Sequence, residues 1–569
     1  MNSISYFLGG IFLTLWAADV RAQTSKAPFN PYHYTITKNG QFNKAAVASG
    51  HPLASEAGVY VMRQGGNAFD AAIATQLVLA VVYPGAGNLG GGGFLIARKT
   101  DGKLVGLDYR EAAPAAAHRN MYLNTAGNAQ TQLSQNGRMA AGIPGTVAGL
   151  FATAQHARLP VARLIQPAID LAEQGFVITA KEAAALNSHK NDFIQYNSVP
   201  PVFVKATAWK AGDTLVQKEL AATLRRIQQQ GAPGFYEGET AALLVAEMQK
   251  GNGIITLEDL RHYTVKERTP LEFDYKGHHV IGFPPPSSGG IILWQVMKMI
   301  EQYPLAQYGF QSAQAVQLMI EAERRAFADR AAHMGDPDFY KVPVQALTSS
   351  TYLQQRMSSF TPGKATRSSA ITESRFTESE ETTHISIYDA EGNMVSVTTT
   401  LNGSYGSKTV VAGAGFLLNN EMDDFSIKPG VPNKYGAVGG EANAIQPGKR
   451  MLSSMCPVLV TRHNKPYIIA GTPGGTTIPT SVFQTLVNMI DFRMSAADAV
   501  NKPKFHHQWL PDEVYVEKSF SPIVKQQLEK MGYTVTERAA IGRTEVICTN
   551  GKQITAAADS RGDDSIAGF

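Results

Sequence analysis

A threonine that leads an alternating strand becomes a nucleophile if the chain is cut just before it. Residues 361–381 are polar, rich in Ser, Thr and Glu, and lack a clear period, so they read as an exposed or mobile segment. After them, residues 384–388 alternate as a half-buried strand does, residues 389–393 supply turn types, and residues 394–401 alternate again. The pattern predicts a β-hairpin with Thr382 at its leading end. A cut between Glu381 and Thr382 would set an α-amino group beside the Thr382 hydroxyl. That amine has a reference pKa of about 7.7–8.0, which suits a general base near neutral pH. A threonine hydroxyl is a weak nucleophile until such a base adjoins it, so cleavage and activity would be linked. Alone, a threonine at a loop–strand junction is ordinary.

Other residues carry compatible chemistry. Arg110 stands beside Glu111, and its guanidinium could grip a planar carboxylate with two parallel bonds, although such neighbours more often form a surface ion pair. Glu421 and Asp424 are close in sequence, and two near carboxylates repel unless a cation lies between them, as a substrate ammonium would. A metal could meet the same need, but no His or Cys lies at ligand spacing nearby. Gly474-Gly475 follow an apolar strand and precede a helix, so backbone N–H groups there can point into a cleft. Thr400 and Asn402, two apart, share a strand face. Two patterns are set aside. Residues 85–90 spell a dinucleotide fingerprint but follow a helix rather than a strand. His506 and His507 are adjacent, so on a strand they face opposite ways and share a metal poorly.

These groups need a scaffold. Residues 53–263 read as mainly helical: residues 54–64 have helical spacing and stop at Gly65-Gly66, then Asn67 caps an apolar helix over residues 68–82 that Pro84 ends. A second helical zone covers residues 291–334, after a stiff turn segment at 282–290. A second hairpin is expected from residues 457–462 and 467–471, turning at His463-Asn464, with a helix over 478–492 behind it. The chain has 569 residues, 44% hydrophobic and 17% charged, enough for a large globular core. Its net charge of +4 is spread without a basic block, so no nucleic-acid partner is expected. Residues 6–18 form an apolar run too short to span a bilayer, followed by a plausible cut after Ala22. Residues 1–22 therefore read as a signal peptide, with secretion to the periplasm or beyond and no stable membrane anchor. Cys456, in an apolar run, reads as a small buried hydrophobe, and its pairing with Cys548 is open.

Residues 381–389, Glu-Thr-Thr-His-Ile-Ser-Ile-Tyr-Asp, closely resemble the processing site of the γ-glutamyltranspeptidases. The resemblance covers nearly everything after the leader. It runs in order through residues 58–94, 107–114, 284–290, 419–426, 452–455, 471–475 and 505–509. It implies an α+β fold, the four-layer αββα sandwich of N-terminal-nucleophile hydrolases, made as one precursor and matured by autoproteolysis. Residues 23–381 would form a large subunit and residues 382–569 a small catalytic one, associated as a heterodimer because both supply strands to one core.

The resemblance also implies roles. Thr382 would attack Glu381 during maturation and substrate afterwards. Arg110 would clamp the substrate α-carboxylate, with Ser453 and Ser454 completing that pocket. Glu421, where some members carry Gln, Asp424 and the side-chain carbonyl of Asn402 would hold the α-ammonium at the opposite pole. Gly474 and Gly475 would form the oxyanion hole, Thr400 would orient Thr382, and residues 429–441, with Tyr435, resemble a lid. The implied reaction transfers the γ-glutamyl group of glutathione or a related amide to water, an amino acid or a peptide, with no cofactor and no metal. One rival is a β-lactam acylase for glutaryl side chains, whose substrate lacks the ammonium that Glu421 and Asp424 suit. Another is a non-catalytic surface protein on a degenerate scaffold, which the intact set Thr382, Thr400, Asn402 and Gly474-Gly475 opposes.

Overall fold

Two seven-stranded antiparallel sheets face each other in a computed structural model that describes residues 29–371, 382–428 and 440–569. The first sheet runs Ser565–Gly568, Ala46–Ser49, Thr382–Tyr388, Met394–Thr400, Gly92–Arg98, Leu104–Asp108, Lys266–Glu267. The second runs Asn39–Phe42, Ile554–Ala558, Glu545–Thr549, Lys465–Gly471, Val458–Arg462, His278–Gly282, Leu271–Tyr275. Helices Pro52–Arg63, Ala68–Val82, Val161–Gln174 and Lys218–Gln230 share one core with the outer face of the first sheet. Gly289–Ile300, Ala313–His333 and Thr477–Ile490 share the other with the second sheet. The architecture is the expected αββα sandwich.

Local signals account for several elements. Asn67 accepts from the N–H groups of Phe69 and Asp70, and Asp70 bonds back to the Asn67 N–H, so the capping box starts Ala68–Val82 where the sequence places it. His463 and Asn464 turn the second hairpin in left-handed conformations, φ +51° and +58°. The stretch read as mainly helical also holds strands Gly92–Arg98 and Leu104–Asp108. Gly92–Arg98 is buried along its whole length, so it shows a continuous apolar run instead of alternation.

The hairpin behind Thr382 lies at the centre of the first sheet, paired from Thr382↔Thr400 to Tyr388↔Met394. Ala46–Ser49 flanks it on one side and Gly92–Arg98 on the other. Its outer face, Ile385, Ile387, Val395 and Val397, packs into the helical core. Its inner face is polar. Ser386 Oγ donates to the Glu545 carbonyl at 3.1 Å and Ser396 Oγ to the Ala470 carbonyl at 3.2 Å, both across to the second sheet. His384 bonds Thr398 at 2.9 Å, and burial pushes its pKa down to about 3, so it sits neutral. Gly471 makes room for that ring: a Cβ there would lie 2.2 Å from it.

Cys456 and Cys548 are both free, the former buried. No helix among the described residues is long and apolar enough to cross a membrane. The leader, residues 1–22, lies outside the described residues.

Candidate active site

Strand register sets Thr382 opposite Thr400. Both are buried, and both line a cleft shared with Arg110, Asn402, Glu421, Asp424, Ser453, Ser454 and Gly475. The cleft measures about 20 Å³, room for about one water. Asn402 leaves the strand at φ +73°, which Asn tolerates, and its N–H donates to Thr400 Oγ1 at 2.7 Å. Its Nδ2 donates to the Asn420 carbonyl at 3.0 Å, which ties the end of the hairpin to the turn carrying Glu421 and Asp424.

Gly474 and Gly475 adopt φ of +137° and +56°, directly before helix Thr477–Ile490. A Cβ on Gly474 would lie 2.4 Å from Thr477 Oγ1, so position 474 favours glycine. Thr477 and Ile478 donate their N–H groups to the carbonyls of Gly474 and Gly475 at 3.0 and 3.1 Å. At such a helix start the leading N–H groups lack helical partners and carry the positive end of the dipole. Gly475 lines the cleft, with Gly474 one residue behind it.

At the other end of the cleft, Arg110 meets Glu421 at 2.6 Å and Asp424 at 2.5 Å, and its Nε donates to the Met451 carbonyl at 3.3 Å. The Glu421 contact is an ion pair without hydrogen-bond alignment. The sequence reading sets Arg110 and the two carboxylates at opposite poles, whereas the structure places the guanidinium on them. Buried carboxylates need a cation at hand, and Arg110 supplies it. Glu111 is a further buried acid, 3.5 Å from Arg110, where adjacency alone suggests a surface pair. Burial pushes Glu421 up to about 8 and Glu111 up to about 7, against the pull of Arg110.

Ser453 and Ser454 are held by the turn segment at 284–290: Ser453 N–H donates to the Pro286 carbonyl at 2.9 Å, and Ser288 Oγ donates to the Ser453 carbonyl at 2.8 Å. Arg330, from helix Ala313–His333, donates to Ser454 Oγ at 3.1 Å and to Ser288 Oγ at 3.0 Å. No sequence spacing joins Arg330 to this loop. Glu381 and Tyr435 lie outside the described residues. Among the described residues, no group of three or more His, Cys, Asp or Glu is placed to hold a metal ion.

Comparison with known proteins follows the same lines. The family profile described as gamma-glutamyltranspeptidase matches residues 54–569. The chain is 45% identical over 545 residues to the glutathione hydrolase proenzyme of Escherichia coli strain K12, covering 95% of this chain and 93% of that protein. It is similar in structure to a cephalosporin acylase from Bacillus halodurans, with a TM-score of 0.83 and 25% identity over 97% of this chain and 99% of that one. Helicobacter pylori gamma-glutamyltranspeptidase superimposes with a TM-score of 0.56 and 42% identity, over 60% of this chain and 97% of that chain.

Proposed function

This chain belongs to the gamma-glutamyltranspeptidase family, and we propose that it is a glutathione hydrolase and γ-glutamyltransferase whose nucleophile is Thr382. The observation that carries the reading is the single cleft shared by a strand-leading threonine, an arginine, two carboxylates and a glycine turn at a helix start.

Maturation begins in the precursor. Thr382 Oγ1 attacks the Glu381 carbonyl carbon, the amide becomes an ester, and water hydrolyses that ester. The products are a large chain of residues 23–381, after removal of the leader on export, and a small chain of residues 382–569. They stay together because the central strand Thr382–Tyr388 lies between Ala46–Ser49 and the hairpin partner of Gly92–Arg98.

Turnover uses the freed α-amino group. It takes the Thr382 hydroxyl proton while Oγ1 attacks the γ-carbonyl, and the oxyanion forms against the N–H groups of Gly474 and Gly475. The C–N bond breaks, the amine leaves with the proton, and a γ-glutamyl ester remains. Water or an acceptor amine then attacks the ester, and Thr382 regains its hydroxyl. Arg110 exchanges Glu421 and Asp424 for the substrate α-carboxylate, while those two and Asn402 Oδ1 take the α-ammonium. Ser453 and Ser454 line the carboxylate side, and Thr400 orients Thr382.

The test is a denaturing gel with N-terminal sequencing, beside a glutathione hydrolysis assay. The expected result is two bands, the smaller beginning Thr382-Thr383-His384, and glutamate release. A persistent single chain overturns the reading. The likeness to a cephalosporin acylase favours glutaryl acylase as a second reading. Glu421 and Asp424 support the γ-glutamyl one, because a glutaryl group offers them no cation.

A further inference from the structure

Glycines in a positive-φ turn have no side chains with which to hold themselves, so their placement is set by neighbouring residues. Helix Thr477–Ile490 is held along one line by the segment that follows Lys504. Gln484 Nε2 donates to the Phe505 carbonyl at 2.6 Å, and Gln484 Oε1 accepts from the Phe505 N–H at 3.2 Å. Thr480 Oγ1 meets His506 Nδ1 at 2.9 Å, and Thr476 Oγ1 donates to Gln508 Oε1 at 2.7 Å. Residues 476, 480 and 484 are four apart and share a helix face, and each is bonded to a successive part of residues 505–508. All three are buried.

Gln508 closes this line at the end nearest the glycine turn. Its Oε1 also meets His506 Nε2 at 2.8 Å, and its Nε2 leans toward the Leu510 carbonyl at 3.4 Å, so the amide oxygen faces two donors. Burial pushes His506 down to about 4, so the ring is neutral, with Nε2–H facing the acceptor oxygen of Gln508 and Nδ1 beside Thr480 Oγ1, which also donates to the Thr477 carbonyl at 3.0 Å. The segment is itself anchored behind: the buried Glu323 accepts the His507 N–H at 2.9 Å, and Trp509 Nε1 donates to the Ser368 carbonyl at 3.0 Å.

We propose that Gln508, through Thr476, is a positioning residue for the oxyanion turn, holding the Gly474-Gly475 peptide groups in the place where the tetrahedral oxygen forms. The proposal rests on the assignment of those glycines as oxyanion donors. Thr476 follows Gly475 directly, so releasing its hydroxyl frees the turn to shift relative to Thr382 while the helix behind it stays packed. Oxyanion donors act only within a narrow distance range, so a small shift costs rate rather than substrate binding.

The test uses Thr476→Val, which keeps the shape and removes the donor, Gln508→Leu, their double variant and Thr476→Ser. Turnover of a γ-glutamyl anilide is measured per mole of processed small chain, so slow maturation is not read as slow turnover. Each single variant should lose about tenfold or more in kcat with KM within about twofold, as loss of an interaction made in the transition state requires. The double variant should be no slower than the worse single one, and Thr476→Ser should restore most of the rate. Parental kcat in Thr476→Val, a loss confined to KM, or multiplying losses in the double variant overturns the proposal. So does a lowered unfolding temperature with unchanged kcat, which marks the network as purely structural. If Gln508→Leu does not fold, Thr476→Val and Thr476→Ser decide. Gly475→Ala separates the two assumptions: parental kcat there removes the oxyanion assignment itself. Impaired Gly475→Ala beside normal Thr476→Val removes only the tether.

Discussion

The two ends of the cleft are built in different ways. At the nucleophile end, Thr382 and Thr400 are opposite residues of one antiparallel ladder, and that ladder is the centre of a seven-stranded sheet. Thr400 is paired on both sides, with Thr382 and with Gly92, and Thr382 leads a strand paired on both sides from Ile385 onward, so backbone register rather than side-chain choice sets their geometry. At the charged end, Arg110 follows a strand, Glu421 and Asp424 sit in a short 3₁₀ turn, and Ser453 and Ser454 sit in a loop. There the shape is set by charges holding one another. Under the proposed mechanism the difference is a division of labour: the ladder end would decide whether acyl transfer happens at all, and the charged end which acyl group is accepted.

The sharpest break is at the ladder. Thr382→Ala lacks the hydroxyl for both self-cleavage and turnover, so it should stay one chain, with activity lost by roughly 10⁴-fold or more. A gel and an anilide assay check this together. A cleaved Thr382→Ala chain would mean that an outside protease performs the cut. Thr382→Ser keeps a hydroxyl on the same strand and should mature, more slowly.

At the charged end the expected losses are smaller. Arg110→Lys keeps the charge and loses the planar fork, so kcat/KM for a γ-glutamyl anilide should fall by about 2–4 kcal/mol. Arg110→Ala should be no better. Parental kinetics in both would move the carboxylate clamp elsewhere. A third measurement leaves the protein intact and removes the substrate ammonium instead. A glutaryl anilide leaves Glu421 and Asp424 without a ligand cation, and should be turned over at least roughly 10²-fold less efficiently than the γ-glutamyl anilide. Equal values would favour the acylase reading and leave the Thr382 chemistry standing.

The same division explains what the sequence disclosed. The Thr382 hairpin was legible because one face is apolar and the other polar, which writes alternation into residues 384–401. Asn67 was legible because capping needs only local residues. Gly92–Arg98, buried throughout, has no alternation to read. The contact of Arg110 with Glu421 and Asp424 spans more than three hundred residues of chain, and no spacing encodes it. Residues 476, 480 and 484 display a helical stripe in the sequence, but their partners at 505–508 appear only once the chain is folded.

The smallest effect lies in the pH dependence of the charged end. Burial holds Glu421 up at about 8 although Arg110 opposes it, so its ion pair with Arg110 is complete only at alkaline pH and is progressively lost as pH falls through that value. A carboxylate pairs with an ammonium more strongly than a protonated carboxyl does, so binding a zwitterion draws that proton off. The sign follows: affinity rises with pH up to about 8 and levels off once Glu421 is already ionised. An α-amino group has a reference pKa of about 7.7–8.0, and in the proposed mechanism the Thr382 amine is the catalytic base, so its titration would act on kcat. Inhibition by L-glutamate, which binds without reacting, isolates the binding step. Its Ki should fall by about tenfold between pH 6.5 and 8, the span of one shifted carboxyl. Glu421→Gln should flatten most of that slope while keeping the anilide reaction. A Ki that rises with pH in the parent enzyme would mean that Glu421 is ionised throughout and that the ammonium enters a site already charged to receive it.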